Sequence, residues 1–424
     1  MRLIYNTVFI LAIPLILLRL WLRGRKLPAY RKRWAERFGS FKPPHKHKPY
    51  IWVHTVSVGE FIAAKPMLDH LLANPHHQLV ITTMTPTGSE RVRASYGDKV
   101  FHVYAPYDIP FCVSRFLSKL SPVLAIFLET ELWPNTLQAC HQHAIPTLLA
   151  NARLSEKSAR GYAKFSSLTK PMLQHLTMAA IQNPIDAQRF IQLGLDRNKA
   201  NVIGSIKFDI AIDKTLAEKA RHLKSQLSQQ GHYTLLIAAS THKHEDEIVL
   251  DAFAILRKHS PNCRLILVPR HPDRFDDVYQ LIIKRGYQCL RRNIVGDTLP
   301  NAPFDILLGD TMGEMMLFYG CADIAFVGGS FVDNGGHNTI EPAVWQLPIL
   351  SGPSQFNFAD IARMLKENNA ITTVHDAKEL AEQIRLLFDE EKAKAMGMAA
   401  YNVAKKNQGA LQRLLTLIDD QLTH

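Results

Sequence analysis

Cysteine is scarce in this chain of 424 residues, and the five that occur lie far apart. No two of them form a C-x-x-C pair, and an odd, dispersed set indicates a reducing compartment rather than a disulfide framework. The sequence also lacks an Asp-x-Asp pair, an H-E-x-x-H zinc motif, a G-x-x-x-x-G-K-[ST] phosphate loop and an ordered G-x-G-x-x-G. It therefore predicts no metal site and no organic cofactor.

Acidic residues are nearly absent from the start of the chain. Residues 1–48 hold twelve of the 50 Lys and Arg residues but only one of the 38 acidic residues, Glu36. The formal net charge of +12 is therefore a property of this end, and the rest of the chain is close to neutral. Because the body carries so little net charge, we expect no nucleic-acid partner.

Apart from Arg2, these basic residues follow an apolar run from Leu3 to Leu18, which Leu20 to Leu22 extend past Arg19. A membrane-spanning helix needs roughly 17–25 residues, so residues 1–22 are predicted to form a single N-terminal membrane anchor. A cleaved signal peptide is the alternative, but the positive charges follow the apolar run and no small-x-small site closes it. By the positive-inside rule, the basic cluster after the run places the body on the cytoplasmic face.

Basic residues alternate with Leu27, Tyr30, Trp34 and Phe38 in the segment from Arg23 to Phe38. Such a segment suits a helix lying on anionic head groups, where each Lys or Arg contributes about 1 kcal/mol. A solvated basic helix is the alternative. We expect membrane lipids to be partners of the anchor and of this segment.

From Tyr50 onward, short apolar runs alternate with helical patterns, and the alternation restarts after a polar bridge around Asp209 to Gly231. Strands that alternate with helices indicate βαβ units and a parallel sheet. The predicted fold is α/β, with two Rossmann-like, doubly wound domains, residues 23–210 and 211–424, facing a ligand cleft. The predicted strands are 51–54, 79–83, 100–104, 124–128, 147–151 and 178–182 in the first domain, and 235–239, 264–268, 305–308, 324–327 and 348–350 in the second.

Charged residues follow several predicted strands of the first domain. Glu60 sits at a helix start, where it either complements the helix dipole or serves as a general base for an attacking hydroxyl. Glu129 and Glu131 follow another strand; we expect that one of them forms an ion pair and that Glu131 faces the cleft. Arg153 and Lys207 follow two further strands and either neutralise an acidic sugar or a leaving phosphate, or are solvated surface charges.

The second domain carries a glycine-rich loop, Gly328 to Pro342, between a predicted strand and a helix. With Asn338 as the N-cap, this layout directs free backbone N–H groups and a helix dipole at a phosphate, and Glu341 can bind ribose hydroxyls. A structural glycine turn is the alternative. Arg270, held between prolines, and the segment Gly309 to Glu314 end two further strands.

Taken together, these segments resemble the 3-deoxy-D-manno-octulosonic acid (Kdo) transferases of lipopolysaccharide biosynthesis over nearly the whole chain. The segments that carry the resemblance are the apolar anchor with Arg31–Trp34, Val56–Glu60, Thr82–Val92, Glu129–Asn135, Asn151–Ser155 with Gly161-Tyr162, Gly204–Asp209, Pro269–Phe275, Gly309–Glu314 and Phe326–Pro342. Two residues depart from the family pattern. Thr339 stands where many relatives have proline, and His244 replaces a glycine.

The resemblance implies a GT-B glycosyltransferase at the cytoplasmic face of the inner membrane. Its implied reaction transfers Kdo with inversion from CMP-Kdo to the glucosamine disaccharide of a lipid A precursor, lipid IVA. It implies that Glu60 is the catalytic base and that Glu131 and Lys207 assist. The implied CMP-binding residues are Pro269, Arg270, Met312, Gly313, Glu314, Asn338, Thr339, Ile340 and Glu341.

Two other classes of protein remain open on these residues. A hexosyltransferase or a nucleotide-sugar epimerase of the same architecture would differ in its donor, since only a Kdo transferase requires CMP and a carboxylated sugar. A non-catalytic membrane adaptor would bind nucleotide or anionic lipid without needing the Glu60 carboxylate.

Overall fold

In the computed structural model, which describes residues 1–25, 27–44, 48–229, 231–300 and 302–423, the chain forms two units. The first comprises Met1–Asp209 together with the chain from Gln408 onward, and the second comprises Ile210–Asn407. Lys26 and Lys46 of the basic N-terminal region lie outside the described residues.

The first unit is built on a parallel sheet of seven strands in the order β3-β2-β1-β4-β5-β6-β7. Its strands are β1 (Tyr50–His54), β2 (Gln78–Thr83), β3 (Phe101–Tyr104), β4 (Leu124–Leu128), β5 (Thr147–Ala152), β6 (Met178–Ile181) and β7 (Ala200–Val202). Its first eight helices are α1 (Arg2–Arg23), α2 (Val58–Ala73), α3 (Pro86–Tyr96), α4 (Pro110–Leu120), α5 (Pro134–Gln142), α6 (Glu156–Ala163), α7 (Ser166–Gln174) and α8 (Pro184–Gln192).

The second unit repeats this architecture with seven parallel strands in the order β10-β11-β9-β8-β12-β13-β14. Its strands are β8 (Thr234–Thr241), β9 (Cys263–Pro269), β10 (Cys289–Arg291), β11 (Ile306–Leu308), β12 (Ile324–Val327), β13 (Ile349–Ser351) and β14 (Ile371–Thr373). Its helices are α9 (Lys214–Leu227), α10 (Glu245–His259), α11 (Phe275–Lys284), α12 (Arg292–Val295), α13 (Met315–Cys321), α14 (Ile340–Val344), α15 (Ala359–Glu367), α16 (Ala377–Leu386) and α17 (Glu390–Lys406).

The central strands coincide with the predicted apolar runs because they are buried on both faces, as parallel strands covered by helices must be. All five residues of β1 and of β4 are buried, and a separate hydrophobic cluster covers each face of the sheet. Three strands escaped the sequence analysis, namely β7, β10 and β14. Each has three residues, lies at a sheet edge and keeps most of its side chains only half-buried, so it leaves no apolar run to detect.

The predicted domain from 211 to 424 does not hold together as one unit, because its last helix returns to the first unit. Helix α18 (Ala410–Thr423) buries Leu414, Leu415 and Ile418 in the cluster that covers β1 and α2. The Asp209 carboxylate, at the end of the first pass through this unit, accepts hydrogen bonds from the backbone N–H groups of Gly409 (2.5 Å) and Leu411 (2.7 Å). Burial of the apolar face of α18 therefore overrides its position in the sequence.

Helix α1 precedes the first sheet, and it is long enough and apolar enough to cross a membrane, judged by length and composition. None of its residues is fully buried, and Leu3, Leu11 and Leu15 are 69–79% exposed. The basic segment after it forms two short 3-10 turns, Pro28–Arg31 and Trp34–Phe38, where one continuous helix was predicted.

We expect Asp209→Ala to lower the free energy of local unfolding of α18 by about 1–2 kcal/mol. A side chain that caps the backbone N–H groups at a helix start contributes about this much stability. Amide hydrogen exchange within α18 should accelerate by roughly 5- to 30-fold. Asp213→Ala is the matched control, since Asp213 caps α9 of the second unit through the N–H of Leu216 (2.7 Å). Unchanged exchange in α18 of the Asp209 variant would contradict this tie.

Candidate functional site

The chain reverses its winding direction at β1 in the first sheet, because β1 lies between β2 and β4. His54 at the end of β1 pairs with Phe127 of β4, so the loops that leave these strands begin side by side. Ligands of doubly wound folds bind at such a switch point, beyond the carboxyl ends of the strands. Glu60 follows β1, and Glu129 and Glu131 follow β4, so the fold brings the predicted carboxylates to one edge.

Glu60 occupies the third position of α2, whose N-cap is Ser57. Its carboxylate accepts a hydrogen bond from the backbone N–H of Val56 (2.8 Å) and another from the Ser57 hydroxyl (2.9 Å). These contacts resemble a capping box, in which a Glu reaches back over the helix start. The capping role and the role as base are therefore compatible, because the same contacts that cap α2 hold the carboxylate in one position at the switch point.

Glu129 is the carboxylate of the β4 loop that forms ion pairs. It accepts from Lys207 Nζ at 2.7 Å and pairs with Arg153 Nε at 3.0 Å. Its φ of 55° is in the left-handed region, which a non-glycine residue seldom adopts and which is common at functional strand ends. The structure therefore brings both predicted cations onto Glu129.

Glu131 has a different environment. It accepts a hydrogen bond from the Trp133 indole N–H (3.0 Å), and burial together with the nearby Glu60 charge raises its pKa to about 7. The pKa of Glu60 is also raised, chiefly by burial, although the Val56 and Ser57 donors and the Lys207 charge act in the opposite direction. Burial thus raises the pKa of both neighbouring carboxyls, which is typical of groups that take up and release a proton in acid–base catalysis.

The second unit has its own switch point at β8, which lies between β9 and β12. The loop after β12 begins with Gly328, where a Cβ atom would lie 2.9 Å from the carbonyl oxygen of Ser240 at the end of β8. A side chain at 328 would thus collide with the backbone of the neighbouring strand end. The glycine is required here for close packing of two backbones.

Three N–H groups at the start of this glycine-rich loop are bound within the protein, although the sequence predicted free N–H groups in the loop. The carboxylate of Glu245, which is fully buried at the start of α10, accepts from the backbone N–H groups of Gly329 (2.6 Å), Ser330 (2.9 Å) and Phe331 (2.8 Å). It also accepts from the N–H of His242 (2.8 Å). Glu245 thus fixes the shape of the first part of the loop, and these three N–H groups are not available to a phosphate.

The helix after the loop also differs from the prediction. Its N-cap is Thr339 instead of Asn338, and α14 has only five residues, so its dipole is small. Asn338 still accepts from the N–H of Ile340 (3.1 Å) and donates to Glu341 (3.2 Å). Burial raises the pKa of Glu341 to about 7, and the Thr339 hydroxyl is buried without a hydrogen-bond partner among the described residues.

Three histidines meet beside Arg270 at the ends of β8, β9 and β12. His242 stacks on His337 with Nε2 atoms 2.9 Å apart, and His271 packs edge-on against His242 at 5.2 Å between ring centroids. Burial, then the Arg270 charge, lowers the pKa of His337 to about 3, and burial also lowers the pKa of His242 and His271. The rings are therefore neutral at pH 7, and exposed Arg270 supplies the positive charge of this cluster.

The turn from Met312 to Glu314 follows β11. Met312 is exposed and Gly313 has a φ of +90°, which only glycine adopts easily. The Glu314 carboxylate is bound by Arg292 through two hydrogen bonds of 2.7 and 3.0 Å and by the Thr311 hydroxyl. Burial raises the pKa of Glu314, but these donors outweigh it and hold the pKa below its ordinary value.

Glu245 and the histidine cluster were not predicted from the sequence. Glu245 was hidden in the ordinary acidic first turn of α10, and its partners lie 84–86 positions further along the chain. The one available signal was the departure at His244, which adopts a φ of 77° as the N-cap of α10, where a glycine would be relaxed. The positive φ of His244 marks a tight turn directly before Glu245.

Solved structures with this arrangement of sheets include a glycosyltransferase from Rickettsia africae, with a TM-score of 0.55 at 14% identity, covering 89% of this chain and 99% of its own. They also include a UDP-GlcNAc 2-epimerase from Neisseria meningitidis bound to UDP-GlcNAc, with a TM-score of 0.54 at 12% identity, covering 86% and 100%. The fold is thus that of the GT-B glycosyltransferases, and by itself it does not separate transferases from epimerases.

The family is shown by sequence. Residues 32–210 match the family model of 3-deoxy-D-manno-octulosonic-acid transferase (kdotransferase). A 3-deoxy-D-manno-octulosonic acid transferase of Haemophilus influenzae is 42% identical over 99% of this chain and 99% of its own length. The chain belongs to the family of 3-deoxy-D-manno-octulosonic acid transferases, and it is a glycosyltransferase.

We expect Glu245→Gln to destabilise the second unit, because an amide offers one oxygen in place of a carboxylate that accepts four N–H groups. Charge-assisted hydrogen bonds contribute roughly 1.5–3 kcal/mol, which corresponds to a fall in the melting temperature of about 3–12 °C for a unit of this size. Asp251→Asn, on the exposed face of the same helix, is the control and should change the melting temperature by less than about 2 °C. Equal shifts for the two variants would show that the loop does not depend on Glu245.

Proposed function

We propose that this enzyme transfers Kdo with inversion from CMP-Kdo to the glucosamine disaccharide of a lipid A precursor, lipid IVA. The observation that carries this proposal is the Glu60 carboxylate, held at the switch point of the first sheet beside the Glu131 carboxyl and the ion pair of Lys207 with Glu129, in a chain of the Kdo transferase family. In this proposal the first unit binds the acceptor and the second binds the nucleotide.

Glu60 acts as the general base. It takes the proton of the acceptor hydroxyl as that oxygen bonds to the anomeric carbon of Kdo, while the bond from this carbon to the CMP phosphate breaks and the electron pair leaves with CMP. Glu131 tunes the base, since each of the two carboxyls is harder to ionise when the other is charged. Lys207 supplies positive charge near the carboxylate and phosphate of the donor.

The nucleotide is bound by Pro269 and Arg270, by the turn from Met312 to Glu314, and by residues 338–341. The positive charge of Arg270 suits the phosphate, and the unpartnered hydroxyl of Thr339 and the carboxyl of Glu341 suit polar groups of the nucleotide. Since Glu314 is held by Arg292 and Thr311, it contributes to this site through the backbone of its turn and not through a free carboxylate.

The acceptor is a lipid, and the enzyme works at the cytoplasmic face of the inner membrane. Helix α1 offers an exposed apolar face, and the exposed side chains of Arg19, Arg23 and Arg31 suit anionic head groups.

Glu60→Gln is expected to lower kcat by roughly 10²- to 10⁴-fold, because removal of a general base typically costs that much while the shape of the side chain is kept. The assay follows freshly generated CMP-Kdo and tetra-acylated lipid A precursor with detergent-solubilised protein, resolving products by mass. Glu156→Gln is the control, since Glu156 lies exposed in the first turn of α6 and its ion pair with Arg160 is also exposed. Full activity of the Glu60 variant would rule out base catalysis by this residue, and turnover of a UDP-sugar in place of CMP-Kdo would favour the epimerase or hexosyltransferase class.

The acid limb of the pH profile of kcat/KM should move to higher pH in Lys207→Met. Lys207 lowers the pKa of Glu60 by its positive charge, so its removal raises that pKa and the base becomes ionised only at higher pH. Arg153→Met is the comparison, because Arg153 also pairs with Glu129 (3.0 Å) but its side chain is 47% exposed, so that solvent screens its charge. A limb that stays in place or moves to lower pH in Lys207→Met would show that the two groups are not coupled.

A further inference from the structure

Helix α1 has two different faces along its whole length. From Arg2 to Leu20, residues at intervals of three and four are half-buried, among them Tyr5, Phe9, Ile13 and Leu17. The residues between them are exposed. Burial along one side at helical period fits a helix that lies sideways against the first unit, and Phe9 on this side contacts Tyr107 at 6.2 Å between ring centroids.

The amino end of α1 is tied to the first unit by polar contacts. Tyr5 donates its hydroxyl to Asp108 (3.0 Å), Arg2 donates to the Asn135 side-chain oxygen (2.8 Å), and Asn135 donates to Asn6 (2.7 Å). Asp108 and Asn135 are 0% and 1% exposed, and Asp108 also accepts from the N–H groups at the start of α5. The contact is thus made to a buried network of the unit and not to a mobile surface group.

The carboxyl end of α1 is tied as well. Arg31 donates to the carbonyl oxygen of Trp21 (3.0 Å) and lies over its ring, 4.7 Å from the centroid. Gly24 is buried under the same arginine, since a Cβ there would lie 2.4 Å from Arg31 Cγ. Two residues further on, Arg33 donates to Ser89 (2.9 Å) and to the carbonyl oxygen of His102 (3.2 Å) within the body of the unit.

These ties conflict with a spanning orientation. A helix of 22 residues is about 33 Å long, which is the thickness of the hydrocarbon core. If α1 crossed the membrane, its amino end would lie on the far side, and every contact of Arg2, Tyr5 and Asn6 would be broken. The buried Asp108 carboxylate would then lose the Tyr5 donor. A buried carboxylate that loses a hydrogen bond is destabilised.

We propose that α1 lies in the plane of the cytoplasmic leaflet, with its inner face on the first unit and its outer face in an anionic lipid surface, and does not span the membrane. The outer face consists of Leu3, Leu11, Leu15 and Leu18, each more than half exposed. Trp21 and exposed Arg19, Arg23 and Arg25 follow it, an arrangement typical of helices that insert into one leaflet. This inference rests on the proposed membrane attachment and deepens it.

The orientation is tested by placing one epitope tag between Met1 and Arg2 and a different tag at the carboxyl end of the full-length protein. Spheroplasts are treated with protease from outside, before and after lysis. An in-plane helix keeps both tags protected until lysis, with the protein in the membrane pellet. Loss of the amino-terminal tag alone from intact spheroplasts shows a spanning helix and overturns the inference. Recovery of the protein in the soluble fraction would contradict the proposed membrane attachment itself. The proposed Kdo transfer would still be tested separately by its own activity assay.

A second measurement does not depend on tags. The double variant Leu11→Gln and Leu15→Gln is expected to bind vesicles of phosphatidylglycerol at least tenfold more weakly, because two exposed apolar side chains leave the lipid. Phe165→Gln, which alters another apolar residue of the first unit that is more than half exposed, should bind as the unchanged protein does. Unchanged binding of the double variant would show that this face of α1 does not contact lipid.

Discussion

Parallel pairing of the strands is the constraint on which both candidate sites depend, because it brings all carboxyl ends of a sheet to one edge. Residues that are far apart in the chain become neighbours there, as Glu60 after β1, Glu129 after β4 and Lys207 after β7 do in the first unit. The reversal of winding at β1 and at β8 opens the space between two loops at the middle of each sheet. The same geometry, repeated twice, provides a site rich in carboxylates and a site with Arg270 and three neutral histidines.

Charge balance decides what each carboxylate of the first unit can do. Glu129 is paired with two cations, whereas Glu60 and Glu131 are held by neutral donors and disfavour each other's ionisation. The pKa values of Glu60 and Glu131 are raised, chiefly by burial. In the second unit the buried Glu245 carboxylate has a structural role, because it accepts hydrogen bonds from four backbone N–H groups.

Much of this arrangement could be predicted from the chain, but with specific errors. Alternating apolar runs located the buried central strands, while β7, β10 and β14 left no such run because edge strands are only partly covered. The strand-end charges Glu60, Glu131, Lys207 and Arg270 were found because charge directly after a buried strand is conspicuous. The glycine-rich loop was recognised as special, yet its N–H groups bind Glu245, a contact between residues 84 or more positions apart.

By itself, the sequence determined the fold class, the family and the residue types at the strand ends, since these follow from local patterns of burial and from motifs a few residues long. Only the tertiary structure decided which carboxylate pairs with Lys207, which carboxylate binds the start of the glycine loop, that α18 packs on the first unit, and that the amino end of α1 contacts buried Asp108. Each of these depends on contacts between distant segments, where packing and charge pairing override what the neighbouring residues favour.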